Sequence, residues 1–459
     1  MRPSSQPDTM TDAWLAGQRT AFAACRDSLP GSGTPWVDAL RAEAFRQFEE
    51  DGPPTARIEE WRSGPTAALT GQVFAPAAPD GARAAAVPAP YLEGPRHRLV
   101  FVDGRFSPDH SDAGEPPEGV RLTTLSALLA ENPQAARDLI GDPDAFAEER
   151  LSRVTDRRPQ ALVALNTALA SDGAVLLIED GVALAHPLEV VHVARETEEP
   201  RAHHLRTLIA LGAGARAHVV EVHAGGSAGV WTNHVTDIAV GAGARLEHVR
   251  ADAGSETAVH VNVAHARLRA GAAYAGFVLA ATGGAVRTET RLSLEEPGAD
   301  GEVNGVCLAR ESGHIDALTR LDHHAREGTS RQLWRGIFAD TARGAFQGRI
   351  RVLPDASGTN AALDNRNLLL NAGARAESKP ELEILTDDVA CSHASATGEL
   401  DADALFYLRS RGLSEQLARA LLMEAFTGAV ADRIAHEGMR EFVRRLVDDR
   451  LHALGSATS

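Results

Sequence analysis

Cysteine is scarce in this chain: Cys25, Cys307 and Cys391 are the three in 459 residues, with no C-x-x-C spacing. A disulfide framework is thereby excluded, as is an iron–sulfur cluster held by this chain alone, since such clusters as a rule take four cysteines. Positive charge is in deficit as well. The net charge of −17 argues against a binder of nucleic acid or anionic membrane, both of which attract basic surfaces. No stretch approaches the roughly 18 apolar residues that cross a bilayer. Met1 to Met10 is polar and lacks the apolar core of a signal peptide, so a cytoplasmic protein is expected. No glycine cluster leads into Gly-Lys-Ser/Thr, no G-x-G-x-x-G joins a strand to a helix, and no G-x-S-x-G or paired acid/base signature stands out. ATP, dinucleotide and hydrolase sites are unsupported.

What is present is a change of character along the chain. The first third reads as mainly helical. Thr34-Pro35-Trp36 opens a helix running through Leu40, Phe45 and Phe48 until Pro53-Pro54 stops it. Residues 75–90, rich in alanine and proline, read as a linker, and Leu99 to Phe106 reads as a small hairpin turning at Asp103-Gly104. Leu122 to Leu139 and Pro159 to Ala170 read as helix. From about Asp172, short β-rich runs alternate with small residues. Gly212-Ala213-Gly214, Gly241-Ala242-Gly243, Ala270-Gly271-Ala272 and Pro297-Gly298-Ala299 recur every 27 to 29 residues, followed by Arg343-Gly344-Ala345 and Ala372-Gly373-Ala374. A fixed period of that length marks a stacked solenoid, here a parallel β-helix with long coils. After Gly398 the pattern is helical again: Asp401 and Asp403 start one helix, Ser414 caps a second with Leu417, Leu421 and Ala425 on one face, and Glu437 to Leu451 forms a third. These helices are placed to cap the solenoid against edge pairing or to dock a partner. The expected organisation is a helical region with a hairpin over 1–170, a mainly β core over 171–398 and a helical domain over 399–459.

The informative stretch is Asp387-Asp388-Val389-Ala390-Cys391-Ser392-His393. On an extended strand, residues two apart share a face, so Cys391 and His393 reach one metal ion. Two ligands do not complete a tetrahedral site. The pair is either an accident of a strand or half of a site completed by a second chain, and spacing alone favours the former. Asp387 and Asp388 are placed to orient the imidazole or add oxygen ligands. His203-His204 and His323-His324 read as solvated loop residues, because adjacent histidines on a strand point to opposite faces. Glu221 with His223, and Glu247 with His248, read as surface residues of the coils, and Asn360, Asn365 and Asn367 as structural turn residues.

Taken together, a long ordered series resembles the SufB/SufD family of iron–sulfur cluster assembly scaffolds, nearer its SufD branch. It comprises Arg335-Gly336-Ile337-Phe338, Phe346-Gln347-Gly348-Arg349-Ile350, Asn365 to Leu370, Lys379-Pro380-Glu381-Leu382-Glu383-Ile384, the run through His393, Ala396-Thr397-Gly398, and Leu405 to Gly412. Arg57-Ile58-Glu59-Glu60-Trp61 and Leu165-Asn166-Thr167-Ala168-Leu169 fit the same pattern further back. Cys-Ser-His in place of Cys-Glu-His favours the SufD branch, while Ala394-Ser395 departs from the family's usual glycine-alanine. The resemblance implies a right-handed parallel β-helix flanked by N-terminal and C-terminal helical domains. It also implies a non-enzymatic subunit of a SufBCD complex, pairing with SufB through the β-helix and with the SufC ATPase through the C-terminal helices. Cys391 and His393, the histidine above all, would then contribute to a transient iron or cluster site shared across chains, with a homodimer possible in isolation. The competing expectations are a metal-free adaptor for an ABC-type ATPase and a β-helix carbohydrate-active enzyme.

Overall fold

Two ten-stranded sheets, wound alternately by one path of the chain, form the centre of the molecule. The computed structural model describes residues 9–76, 87–140, 160–254 and 257–456. One sheet is built from Ala174–Ile178, Arg201–Leu211, Val230–Val240, Val259–Leu268, Ala285–Leu294, His314–His323, Arg343–Val352 and Arg375–Ile384 in parallel order. The other runs His97–Val102, Leu188–Ala194, Arg216–Gly225, Arg245–Gly254, Ala273–Thr282, Asp300–Ala309, Thr329–Phe338, Thr359–Leu369 and Val389–Gly398. Each coil contributes one strand to each sheet. In-register partners are accordingly one coil apart, as in Arg216↔Arg245, Arg245↔Ala273 and Ala273↔Asp300. This is the expected parallel β-solenoid, flanked on both sides by helices.

The recurring small residues sit at one row of corners. Gly214, Gly243, Gly271 and Gly298 all have positive φ, from 62° to 72°, a region closed to most side chains. Each donates its N–H to the next coil: Gly214 to Ala242 O at 2.8 Å, Gly243 to Ala270 O at 2.8 Å and Gly271 to Pro297 O at 3.0 Å. The row continues at Glu327, with φ of 60° and its N–H on Ser357 O, and not at Arg343-Gly344-Ala345, which opens a strand. The recurrence fades in the sequence there because the corner is kept without glycine.

The strands carry weak alternation because both sheet faces are buried. Inner faces close on a core of residues such as Leu188, Val190, Ile209, Ile238, Leu246, Leu292 and Ile350. Against the outer face of the first sheet lie N-terminal helices Thr9–Cys25, Pro35–Asp51 and Ala161–Leu169, with Trp14, Phe45 and Phe48 packed on Leu208, Trp231 and Val261. The segment after the second helix is fixed by charge. Arg287 lies 3.9 Å over the Trp61 ring and donates to Glu60 O, Glu289 and Asp316, while Arg291 reaches Glu60 Oε2 at 2.9 Å.

Two expectations need correction. Leu122 to Leu139 is not one helix: Val120–Thr124 is a strand antiparallel to Ala174–Ile178, and helices Leu125–Glu131 and Pro133–Ile140 follow, divided at Pro133. The hairpin at Asp103-Gly104 does form, and its first strand also pairs in parallel with Leu188–Ala194 as a rung of the second sheet. Second, the C-terminal helices do not cap the solenoid. Met423, Val430, Phe442, Val443 and Val447 lie along the outer face of the second sheet, on Val220, Val249, Phe277, Leu279 and Ile337. Most of the linker reading over 75–90 lies outside the described residues.

Candidate metal and partner sites

Among the described residues nothing caps the last coil, so its two strands, Arg375–Ile384 and Val389–Gly398, are edge strands of the two sheets, ten residues each. Native proteins avoid leaving edges of this length unpaired, since they recruit other strands. Cys391 pairs with Ala361 and His393 with Leu363, both inward-facing core residues. The two side chains therefore project on the lumen side of the terminal coil, where no further coil covers them. Cys391 is half-buried against the core and His393 is exposed. Burial pushes the Cys391 thiol up, with the Ala361 backbone opposing. Asp387 and Asp388 do not complete a site: among the described residues, no three-ligand group includes Cys391 or His393. Exposed Ile384 and Leu385 flank this end.

A second unpartnered surface lies on the C-terminal helices. Asp401 accepts from the amides of Asp403 and Ala404 to start helix Ala402–Ser410, and Ser414 Oγ accepts from Leu417 N to start Glu415–Ala431. The latter buries Ala418, Met423, Thr427, Val430 and Ala431. Its other apolar stripe, Leu417, Leu421 and Ala425, faces outward, with the first two 48 % and 39 % exposed, and Phe406 and Tyr407 of the preceding helix are 76 % and 56 % exposed. Two aromatic rings thus stand in water beside a leucine stripe, the kind of apolar patch that interaction sites present.

The remaining histidines are not where the sequence suggested. His203, His204 and His323 lie within strands and are buried, not solvated. Glu221, His223 and His248 are buried inside the solenoid, and Glu247 lies under the last helix, accepting from Ala435 N at 2.6 Å and His436 N at 3.0 Å. Asn365 and Asn367 are buried in a strand and bonded to each other at 2.9 Å, a structural role without a turn. Inside the lumen, His192, His223 and His234 place ligand atoms within 4.8 Å of one another. Sequence reasoning missed this cluster, although the coil period carries it: His192 pairs in register with His223, and His223 with Asp252.

A long two-sheet parallel β-solenoid with helices along both outer faces and two edge strands on its last coil defines the class of protein. The comparisons with known proteins agree. Residues 192–426 match the model of the SUF system FeS cluster assembly, SufBD core domain, and residues 93–190 match that of the SufBD protein N-terminal region. The chain belongs to the SufBD family as a SufD-type member. It is 29 % identical to the iron–sulfur cluster assembly protein SufD of Escherichia coli over 414 residues, 89 % of this chain and 91 % of that protein. A SufBD family protein of Synechocystis is 27 % identical, covering 86 % and 87 % of the two chains, and one of Mycobacterium leprae is 34 % identical across 42 % of this chain and 51 % of its own. No helix of the described residues is long and apolar enough to cross a membrane.

Proposed function

We propose that this chain is a non-catalytic scaffold subunit of a SufBCD-type complex. It pairs with a SufB-like partner through the open end of its solenoid and docks a SufC-like ATPase on the face formed by Phe406, Tyr407, Leu417 and Leu421. His393, with Cys391 beside it, contributes to a transient site for iron or a nascent cluster, the cargo of assembly, completed by the partner. The observation that carries this reading is that Cys391 and His393 stand on a free, full-length edge strand, so that one partner strand pairing there supplies both the missing backbone bonds and the missing ligands. Exposed His393 offers its imidazole directly to a partner, whereas the Cys391 thiol must first lose a proton that burial favours keeping. A site split between chains releases its cargo when the chains part, which a four-cysteine cage would resist.

Co-expression with SufB and SufC chains and anaerobic purification, followed by iron and sulfide analysis, tests this. His393→Ala is expected to lower cluster loading with the complex intact, and unchanged loading would favour a metal-free adaptor. Phe406→Glu with Leu421→Glu is expected to abolish ATPase binding while SufB pairing survives.

A further inference from the structure

The solenoid interior is two-sided. Next to the Gly-Ala corners it is filled by aliphatic side chains, but towards the opposite row of turns it carries His192, Glu221, His223, His248 and Asp252 from one sheet, facing Thr207, His234 and Asn262 from the other. Within this column His192 and His260 each lack a hydrogen bond at both ring nitrogens, and the one packed on two other imidazoles is His192. It is 3 % exposed. Its ring stacks at 5.1 Å on His223 and meets His234 edge-on at 4.5 Å. Two orphaned nitrogens in a closed interior are costly, and the cost calls for a partner.

We propose that His192, His223 and His234 form a three-imidazole site for a divalent transition-metal ion of borderline softness, of the Fe2+ or Zn2+ kind, enclosed in the solenoid and separate from the terminal Cys391/His393 pair. His223 Nε2 and His234 Nδ1 face each other at 3.0 Å, close to the roughly 3.3 Å that separates two nitrogens bound tetrahedrally at about 2.0–2.1 Å. Imidazole suits this group of metals. The outer atom of each ring faces a carboxylate just beyond hydrogen-bond distance, the kind of group that orients a ligand in known metal sites, and that of His234 is bonded to a threonine. His234 Nε2 lies 2.9 Å from Thr207 Oγ1 and 3.6 Å from Glu221 Oε1, and His223 Nδ1 lies 3.6 Å from Asp252 Oδ1. Glu221 is fixed in turn by His248 Nε2 and Thr236 Oγ1, each at 2.9 Å. A cavity of about 10 Å³ beside the cluster, lined by His192, His203, His223 and His260, is of the size that holds one water molecule, a fourth ligand.

The protons balance. Without metal, His223 Nε2–H donates to His234 Nδ1. With metal, both atoms turn lone pairs to the ion and the proton moves to His223 Nδ1, where Asp252 accepts it. Burial holds His192, His223 and His234 below the ordinary imidazole range, so the rings arrive neutral, the form that binds metal. Glu221, which burial would raise but the facing imidazoles hold well below the usual carboxylate range, supplies the opposing charge, with the buried Arg250 on the same sheet face working against it.

The test uses the full chain, stripped with a chelator and titrated with Zn2+ and, for its visible spectrum, Co2+. One ion per chain is expected, with X-ray absorption showing about three imidazoles and no sulfur. His192→Ala should weaken binding by more than the roughly 10–100-fold expected for Asp252→Asn, which loses only an orienting partner. Cys391→Ser with His393→Ala should leave it unchanged. A sulfur ligand, binding lost with Cys391 and His393, or no ion held by the wild type would overturn the proposal. The wild-type absorption measurement decides even if a lumen variant misfolds. Cluster loading of the assembled complex plays no part in this test, so the two readings fail separately.

Discussion

Acid should unfold this protein through its buried histidines, and His260 allows the contribution of one ring to be isolated. His260 is buried, neither of its ring nitrogens has a hydrogen-bond partner, and burial pushes its pKa down to about 4. An unfolded imidazole takes up its proton near pH 6.5, the folded one only near 4. Between those values the unfolded chain binds more protons, so stability falls as the pH falls. At about 1.4 kcal/mol per pH unit, the fall from 6.5 to about 4 comes to roughly 3 kcal/mol. His204, pushed by burial down to about 3, adds roughly 5 kcal/mol in the same direction. Asp252 opposes them. Burial raises its carboxyl to about 7, so folding takes up a proton and stability gains roughly 4 kcal/mol as the pH falls from 7 towards 4. Down to pH 4 the two histidines together lose roughly 7 kcal/mol and Asp252 returns roughly 4, leaving a net loss of roughly 3 against the roughly 5–15 kcal/mol that holds a typical domain. His260→Phe removes one titrating group while filling a similar space, and at pH 8 it should change stability by less than about 1.5 kcal/mol. Urea unfolding at intervals from pH 8 to pH 4.5 should show the variant losing markedly less stability than the wild type, by up to roughly 3 kcal/mol. Parallel curves for the two proteins would refute the reasoning, as would an NMR titration of His260 near pH 6.5.

Two further perturbations probe the layers around the solenoid. Arg287→Ala leaves Asp316 buried without its cation, takes one of two cations from Glu289 and uncovers Trp61; a loss of roughly 3–5 kcal/mol is expected by denaturant unfolding, with tryptophan fluorescence reporting release of the 57–64 segment. Gly173→Ala places a methyl 2.0 Å from the backbone oxygen of Arg206 on the neighbouring coil, and a drop in stability of at least ~2 kcal/mol is expected by thermal unfolding, with the loss absent for alanine at the open position Gly428.

The solenoid was legible because its corners are chemically demanding. Positive φ at Gly214, Gly243, Gly271 and Gly298 demands glycine or something close to it, so the coil length is printed in the sequence. Where Glu327 takes positive φ instead, the print fades, and it returns at Gly358. Inside and outside were harder to read. In strands buried on both faces, Val220 under the C-terminal helices and Val219 in the lumen are the same residue type, and polarity no longer signals exposure. Glu221 and His223 therefore passed as surface residues. Leu417 and Leu421 share a helix face as their spacing indicates, but spacing does not say which face is covered: Met423 and Val430, on a second apolar face, pack on the sheet.

The coil period also settles how two sets of ligands relate. In-register pairing brings His192, His223 and Asp252 into one column although the first and last are separated by two full coils. The same pairing sets Cys391 over Ala361 and His393 over Leu363, at a coil with no successor. A ligand on an inner coil meets its partners within the chain, and closure by neighbouring coils makes that site slow to exchange. A ligand on the last coil finds only an aliphatic floor beneath it and must look outward. Position along the solenoid therefore separates retention from transfer. On the two proposals, metal at the lumen triad would reach a partner only by opening the sheets, whereas cargo at Cys391 and His393 would be one strand pairing away from another chain.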